Sequence, residues 1–139
     1  MRSPAHDIAL YLAGLGVGTF GGATSWALAV NREPEAPDDV VTVYDTGGGE
    51  PFADIELYEP TIQVRARSKT FTTAYAKHEQ IRSLLILPTV RMIGEADDLT
   101  RYVGIWMQSD ILDIGRDEND RHLLTANYRI LRQPQEAIS

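Results

Sequence analysis

The alternation of apolar and polar positions predicts most of the strands in this chain. Between Thr61 and Arg67, the side chains of Ile62, Val64 and Ala66 alternate with polar ones, as in a strand with one face in a core. Further strands are predicted at residues 26–30, 40–45, 101–108, 111–116 and 121–132. The polar turn at 117–120 indicates that the last two form a hairpin.

A helical period of apolar positions predicts two helices. The first follows Ser3 and Pro4, a cap residue and a first-turn residue, and carries its apolar face at residues 8, 11, 12 and 15. Gly14 and Gly16 are expected to end it. The second runs from Phe71 to Leu87, with its apolar stripe at residues 74, 81, 84 and 85, and stops before Pro88.

Loop-forming residues separate these elements. Residues 31–39 predict an exposed acidic loop, residues 46–51 a strong break in regular structure, and residues 52–59 a long loop. The tail from Gln133 is expected to fray. The order of elements predicts one α+β domain over residues 1–139, a sandwich of a mainly antiparallel β-sheet with two helices packed on one face.

The amino-acid composition argues against several classes of function. The chain has 139 residues and a formal net charge of -7, which disfavours tight binding to nucleic-acid phosphates. The absence of cysteine excludes disulfides, thiolate metal sites and thiol nucleophiles. An acidic surface would also suit a channel through which DNA slides without binding, although a plain acidic surface explains the charge equally.

The segment from Ile8 to Val30 contains no charged residue, and its length raises the question of a membrane span or a signal peptide. Ala27-Leu28-Ala29 resembles a signal cleavage site. Five glycines and patterned apolar positions favour a folded segment over both. An exported binding domain with a cleaved N-terminal signal stays open as an alternative.

Short motifs for chemistry are weak in this chain. Gly16 to Gly21 matches the dinucleotide fingerprint, but the predicted helix precedes the glycines, whereas phosphate binding needs it to follow them. Asp117, Asn119 and Asp120 lack the terminal glutamate of a calcium loop and favour a turn. His6, His78 and His122 lie in separate elements, and no serine-hydrolase motif occurs. We therefore predict a non-enzyme with no catalytic, cofactor or metal residues, and a small enzyme whose catalytic residues are dispersed along the chain stays open as a second alternative.

Arg65 and Arg67 are the most informative charged pair, since their side chains project from one face of a predicted strand. They could be solvated, or they could bind carboxylates of a neighbouring subunit. Tyr102 and Trp106 are predicted to share a face of another strand, where core and interface are both open, with core favoured.

The most distinctive segments of the chain are Val43-Tyr44-Asp45-Thr46-Gly47-Gly48 and Pro60-Thr61-Ile62-Gln63-Val64-Arg65-Ala66-Arg67. An Asp-Ile-x-x-Tyr-Leu helix at 7–12 precedes them. They are followed by a helix at 74–85, a strand at 102–108, an Asp-Glu-Asn-x-Arg hairpin at 117–121 and Ala-Asn-Tyr at 126–128. In this order, the segments resemble the tail terminator, or minor capsid, family of siphophages and related gene-transfer particles.

The resemblance implies a virion protein that forms a ring, expected to be a hexamer, at the head-proximal end of the tail. Such a ring stops polymerisation of the tail tube and joins the tail to the head connector. Its partners would be copies of itself, the tail tube protein and the connector, with DNA only passing through the lumen, no membrane, and synthesis in the host cytoplasm. The expected interface residues are Gln63, Arg65, Arg67, Asp45, Gly47, Gly48, Asp117, Asn119 and Arg121.

Overall fold

The computed structural model describes residues 1–52, 55–86 and 88–134, which form two helices and eight strands. In chain order they are α1 (Pro4–Gly14), β1 (Thr19–Phe20), β2 (Ala27–Val30), β3 (Val40–Gly48), β4 (Pro60–Ser68), α2 (Phe71–Leu85), β5 (Arg91–Glu95), β6 (Asp98–Met107), β7 (Leu112–Arg116) and β8 (His122–Pro134). All six predicted strands and both predicted helices are present, with some shifts in their bounds.

One mixed sheet organises the chain. Its strand order is β1-β2-β3-β4-β8-β6-β5, and β7 pairs with β8 off this path. β1, β2 and β3 run parallel to one another, whereas every other pair is antiparallel. β7 pairs with the first part of β8, and β6 pairs with the last part of β8. β7 and β6 therefore lie one after the other along the same edge of β8.

Both helices pack on the same face of this sheet. One hydrophobic cluster joins Ile8 and Leu12 of α1 to Ile81 of α2 and to Val64 and Tyr128 of the central strands. α1 contacts β2 and β3 near one end of the sheet and β5 at the other, so the sheet curls around it. The predicted α+β sandwich with two helices on one face is confirmed.

The uncharged N-terminal stretch is part of this core. The Ser3 hydroxyl accepts a hydrogen bond from the His6 amide at 3.2 Å, and α1 ends at Gly14, as the sequence predicts. Val17 and Leu28 then fill the core at 2% and 0% exposure. Within the described residues no helix is long and apolar enough to cross a membrane.

The predicted break in regular structure at residues 46–51 is wrong for residues 46–48, which belong to β3. β3 continues through Thr46 and Gly47 to Gly48, which pairs with Pro60 after a shift in register. Gly47 and Gly48 have φ angles of 90° and 122°, which side chains rarely adopt, so the glycines bend the strand without ending it.

The prediction that Tyr102 and Trp106 share a face is also wrong. The register of β6 against β8 shifts between Tyr102 and Gly104, which inserts one extra residue. Tyr102 and Ile105 therefore both point into the core, while Trp106 lies on the opposite face of the sheet. A bulge that depends on pairing with a distant strand leaves no local signal in the sequence.

Some boundaries differ from the predictions. β1 and β5 were not predicted, since β1 has two residues and β5 has the non-alternating sequence Arg-Met-Ile-Gly-Glu. β8 extends to Pro134, so the first two residues of the predicted frayed tail, Gln133 and Pro134, still pair with β6. The rest of that tail, residues 135–139, and Leu87 at the predicted helix end lie outside the described residues.

Candidate assembly interface

A buried arginine fastens the loop between β2 and β3 to the sheet. We call residues 31–39 the acidic loop, after Glu33, Glu35, Asp38 and Asp39. Arg67 is 2% exposed, and its guanidinium binds Glu33 Oε1 at 3.1 Å. It also donates to the carbonyls of Pro37 at 2.7 Å and Asp38 at 3.3 Å. The carboxylate that Arg67 binds therefore comes from its own chain, and a solvated Arg67 is ruled out.

Arg121 fastens the same loop from the β7–β8 hairpin. It is 5% exposed and donates to the Glu35 carbonyl at 2.6 Å, while its Nε lies 2.8 Å from Asp117 Oδ2. Asp117 also accepts hydrogen bonds from the amides of Asn119 at 3.0 Å and Arg121 at 2.9 Å. The hairpin turn and the acidic loop are thus held as one unit.

The electrostatics of this turn follow from those bonds. Burial opposes ionisation of Asp117, but the hydrogen bonds from the backbone and side chain of Arg121 and from Asn119 outweigh it. The net result is a pKa of the Asp117 carboxyl below its ordinary value. Asp117 is therefore ionised at neutral pH and serves the turn, as the sequence interpretation favoured over a calcium loop.

Arg65 occupies a different environment from Arg67. It is 26% exposed, contacts Glu33 Oε2 at 3.5 Å, and lies over the Tyr44 ring with its Cζ 5.2 Å from the centroid. Burial raises the pKa of the Tyr44 hydroxyl, and the charge of Arg65 opposes that rise. Gln63, on the same face, donates to Asn127 Oδ1 at 3.3 Å.

These residues belong to a broad polar surface, which we call the open face. It is the face of the sheet opposite the helices, and no helix of the described chain covers it. Its other cation–aromatic pair is Arg129 over Trp106, with Cζ 4.6 Å from the ring centroid. The open face consists of Tyr44, Gln63, Arg65, Trp106, Asn127 and Arg129. Arg, Tyr and Trp are residue types that are enriched at protein–protein interfaces.

Asp45 lies near the end of β3 beside the N-terminus of α1, and its side chain caps that helix. Its Oδ1 accepts the Ala5 amide at 2.9 Å, close to the positive end of the helix dipole. Asn31 bonds its second oxygen at 2.8 Å and accepts the Asp45 amide at 2.8 Å. Asp45 therefore joins α1, β3 and the start of the acidic loop.

Gly48 meets a steric requirement beside Asp45. A Cβ at Gly48 would collide with the carbonyl oxygen of Glu59, in addition to the strained φ angle. Gly47 has only the conformational requirement, because no atom lies within 4 Å of its missing Cβ. Asp45, Gly47 and Gly48 of the motif at residues 43–48 therefore each have a role in the fold.

The nine expected interface residues therefore divide into three groups. Four of them, Arg67, Asp117, Asn119 and Arg121, line one shallow pocket of about 300 Å³ together with the acidic loop. Gln63 and Arg65 lie on the open face. Asp45, Gly47 and Gly48 lie apart from both groups, at the α1 end of β3.

Sequence analysis missed one exposed feature, the arm formed by β7. All five of its residues are exposed, and Leu112 and Ile114 are 61% and 45% exposed. The strand itself was predicted from the polar turn at 117–120, but its exposure was not. Alternation shows which residues share a face and cannot show whether anything covers that face.

The described residues hold no arrangement typical of a catalytic or metal centre. No three His, Asp or Glu groups among them converge in a way that could hold a metal ion. His78 is fully buried, with its Nε2 2.7 Å from the Leu124 carbonyl oxygen, to which it must donate. Gly16 follows the C-terminus of α1, so the fingerprint glycines do not present helix amides to a phosphate.

Comparison with models of known protein families identifies the family of this chain. A family model described as bacteriophage tail terminator protein matches residues 11–134. The chain belongs to this family. The match extends from the middle of α1 to the end of β8 and includes all nine expected interface residues. The resemblance seen in the sequence motifs is confirmed, and this tail terminator family member has a structural role in the phage tail, as a component of the virion that contacts other tail or head proteins.

Comparisons with curated protein sequences and with solved structures give no further information about function. No curated protein sequence matches the chain. A solved structure with no functional name and 14% sequence identity covers 74% of this chain and 77% of its own, with a TM-score of 0.42. A likeness at that level carries no functional conclusion.

Proposed function

We propose that copies of this chain form a ring that caps the head-proximal end of a siphophage-type tail tube. The ring stops further polymerisation of the tube and joins the tail to the head connector. The observation that carries this proposal is the match to the tail terminator family over residues 11–134. The protein works without turnover of a substrate.

Physically, such a protein acts by the geometry of its contacts. A head-to-tail contact repeated around an axis closes into a ring when the rotation per subunit divides a full turn, here into six. One side of the ring then has to fit the tube and the other the connector. The exposed segments between strands, among them the acidic loop and the hairpin turn at 117–120, supply surfaces of this kind.

The charge of the chain suits a ring through which DNA passes. The formal net charge is -7, and beside the arginine-bound Glu33 and Asp117 the same surface carries Glu35 and Glu118, whose carboxylates form no ion pair among the described residues. Like charge between a lumen and DNA phosphates prevents binding and lets DNA slide. In this proposal these acidic segments line the lumen.

The two arginines have separate parts in this proposal. Arg65 is half-buried on the open face and contacts the neighbouring ring or subunit, whereas Arg67 supports that surface from within by holding the acidic loop. Arg65→Ala is expected to reduce assembly while folding is retained. Arg67→Ala is expected to reduce both. Unchanged ring formation and virion assembly after replacement of both arginines would remove these assignments.

The experiment that tests the proposal is imaging of purified protein with isolated tail tubes, together with mass determination. We expect a ring at one end of each tube and a mass that corresponds to six copies. Protein without tubes serves as the control, because a subunit that is monomeric alone and forms a ring on a tube still fits. Failure to bind tube ends, or binding along their length, would contradict the proposal.

The exported binding domain is the second candidate, and one structural observation weighs against it. Ala27, Leu28 and Ala29 form most of β2, which pairs with β3, and Leu28 is fully buried. Cleavage after Ala29 would remove α1 and β2 and expose the core that they cover. Mass spectrometry of the native N-terminus distinguishes the two, since a start near Met1 rejects this cleavage.

A further inference from the structure

Two apolar side chains are buried on the face of the sheet opposite the helices. Ala27 of β2 pairs with Val40 of β3, which in turn pairs with Arg67 of β4. Paired residues point to the same side of a sheet, so all three side chains lie on the open-face side. Ala27 and Val40 are nevertheless 1% and 0% exposed, and neither belongs to the hydrophobic cluster beneath the helices. Another part of the chain therefore covers them.

The acidic loop is this cover. It joins β2 to β3 directly, and the side chain of Arg67 reaches it from the open-face side. Arg67 binds Glu33 and donates to the carbonyls of Pro37 and Asp38. Because Arg67 is the sheet neighbour of Val40, a loop that is bound to Arg67 at three points lies over both apolar side chains.

Side chains hold the middle of this loop in place. Backbone hydrogen bonds fix its two ends, through the amide of Asn31 and the carbonyl of Asp39. Within the described part of the chain, the backbone of residues 32–38 forms no hydrogen bond with another backbone group. Its carbonyls instead accept hydrogen bonds from Arg67 and Arg121. A segment held mainly by side chains can open locally while the sheet stays folded.

Arg121 connects the acidic loop to a surface turn. It follows the hairpin turn at 117–120, three of whose four residues are exposed. Asp117 of this turn orients the guanidinium of Arg121, with Oδ2 2.8 Å from Nε. Arg121 then donates to the Glu35 carbonyl at 2.6 Å and lies 3.5 Å from Asp38 Oδ1. The hairpin turn therefore controls one of the two side chains that hold the middle of the loop.

We infer that the acidic loop is a strap that opens without unfolding of the sheet, and that Arg121 releases it. In the closed strap, Arg121 and Arg67 together hold the loop over Ala27 and Val40. Loss of the Arg121 contacts leaves one arginine to hold the loop, so the two apolar side chains become accessible more often. A partner that binds the turn at 117–120 and engages Arg121 opens the strap in the same way. The strap is a property of the free chain and does not depend on the proposed ring.

An open strap enlarges the apolar surface of the protein. A groove of about 530 Å³ runs along β2, with Arg32, Pro34 and Glu35 of the acidic loop among its lining residues. Ala27 also lines this groove, so movement of the loop joins the groove to the side chain of Val40. Contiguous exposed apolar surface promotes association between proteins. The closed strap therefore shields this region in a free copy until the hairpin turn is engaged.

Labelling of single cysteines with a thiol reagent tests the strap, and the natural absence of cysteine gives a clean background. Ala27→Cys reports on the region beneath the loop. Ala126→Cys is the matched probe, because Ala126 is also 1% exposed but belongs to the core beneath the helices. At low urea we expect Ala27→Cys to react faster by roughly tenfold or more, at a rate that hardly changes as urea is added. The rate of Ala126→Cys should rise steeply with urea, because that thiol reacts only after global unfolding.

Substitutions in the hairpin test the release. Arg121→Met should raise the labelling rate of Ala27→Cys by roughly tenfold or more, since hydrogen bonds from a charged donor stabilise the closed state by at least that factor. Arg121→Lys keeps the charge but loses the forked geometry, so it should give a smaller increase, and it serves if the methionine variant fails to fold. Arg116→Met is the control, because Arg116 pairs with Asp120 at 2.9 Å on the exposed side of the same hairpin. It should leave the labelling rate unchanged.

Each outcome decides for or against the strap. Equal rates, or an equal urea dependence, for the two probes would show that the loop opens only with the whole fold and would overturn the inference. An unchanged Ala27→Cys rate in both Arg121 variants, or the same increase from Arg116→Met, would overturn the release by Arg121. Sedimentation measures the shielding, since Arg121→Met should associate at lower concentration than Arg116→Met, and equal association would contradict it. These measurements use the free protein, so failure of the proposed ring leaves them unaffected.

Discussion

The sharpest test of the acidic-loop anchor is Arg67→Met, which keeps most of the side-chain volume and removes the charge. Arg67 makes three bonds at 3.3 Å or less, to Glu33 and to the carbonyls of Pro37 and Asp38, at 2% exposure. Loss of one partner from a buried ion pair leaves the other charge without compensation and costs about 3–5 kcal/mol. Because Glu33 keeps 17% exposure, we expect about 3 kcal/mol.

Arg65→Met is the matched control on the same strand. Its contact with Glu33 is longer, at 3.5 Å, and the side chain is 26% exposed, so we expect a loss of about 1 kcal/mol or less. Equilibrium urea unfolding of the free protein gives both free energies of unfolding. The double variant with Glu33→Gln should show a coupling energy above about 1 kcal/mol with Arg67→Met. Equal losses for the two arginines, or no loss for Arg67→Met, would refute the anchor.

Three further predictions concern stability and use the same unfolding measurement. Burial lowers the pKa of His78 in the folded protein below its value in the unfolded chain, so the unfolded chain binds the proton first as the pH falls. The free energy of unfolding should therefore decrease below about pH 6.5, by up to about 1.4 kcal/mol per pH unit. His78→Gln should flatten this pH dependence, and an unchanged slope would contradict the prediction. Gly48→Ala should cost more than about 2 kcal/mol because backbone obstructs the Cβ, whereas Gly47→Ala should cost about 1, and equal losses would argue against the steric requirement. Tyr102→Phe should cost about 1–3 kcal/mol, because it removes a buried hydrogen bond of 2.7 Å to Asp7 Oδ2, and a neutral substitution would show that this bond adds no net stability.

The parts of the fold that could be predicted are those with a local signal. β4 alternates strictly and buries Ile62, Val64 and Ala66, because a half-covered strand needs a two-residue period. α1 begins at Pro4 because Ser3 caps it, a preference set within one turn. Both signals depend on neighbours in the chain and need no knowledge of the tertiary structure.

The parts that could not be predicted depend on distant partners. The bulge that separates Tyr102 from Trp106 exists only in register with β8, and β3 continues through Gly48 because Pro60 lies opposite. The same holds for the candidate site. The alternation in β4 predicts that Arg65 and Arg67 share one face of the sheet. Which of the two is buried depends on the acidic loop, whose Glu33 is 34 residues from Arg67 in the sequence.

The most direct test of the central claim is the length of tails assembled in cells that lack only this protein. Electron microscopy of lysates gives the length distribution of the tubes and the fraction that is joined to heads. The account predicts tubes of excess and variable length with no heads attached, and recovery of normal length when the protein is supplied from a plasmid. Tubes of normal length joined to heads in its absence would contradict the account.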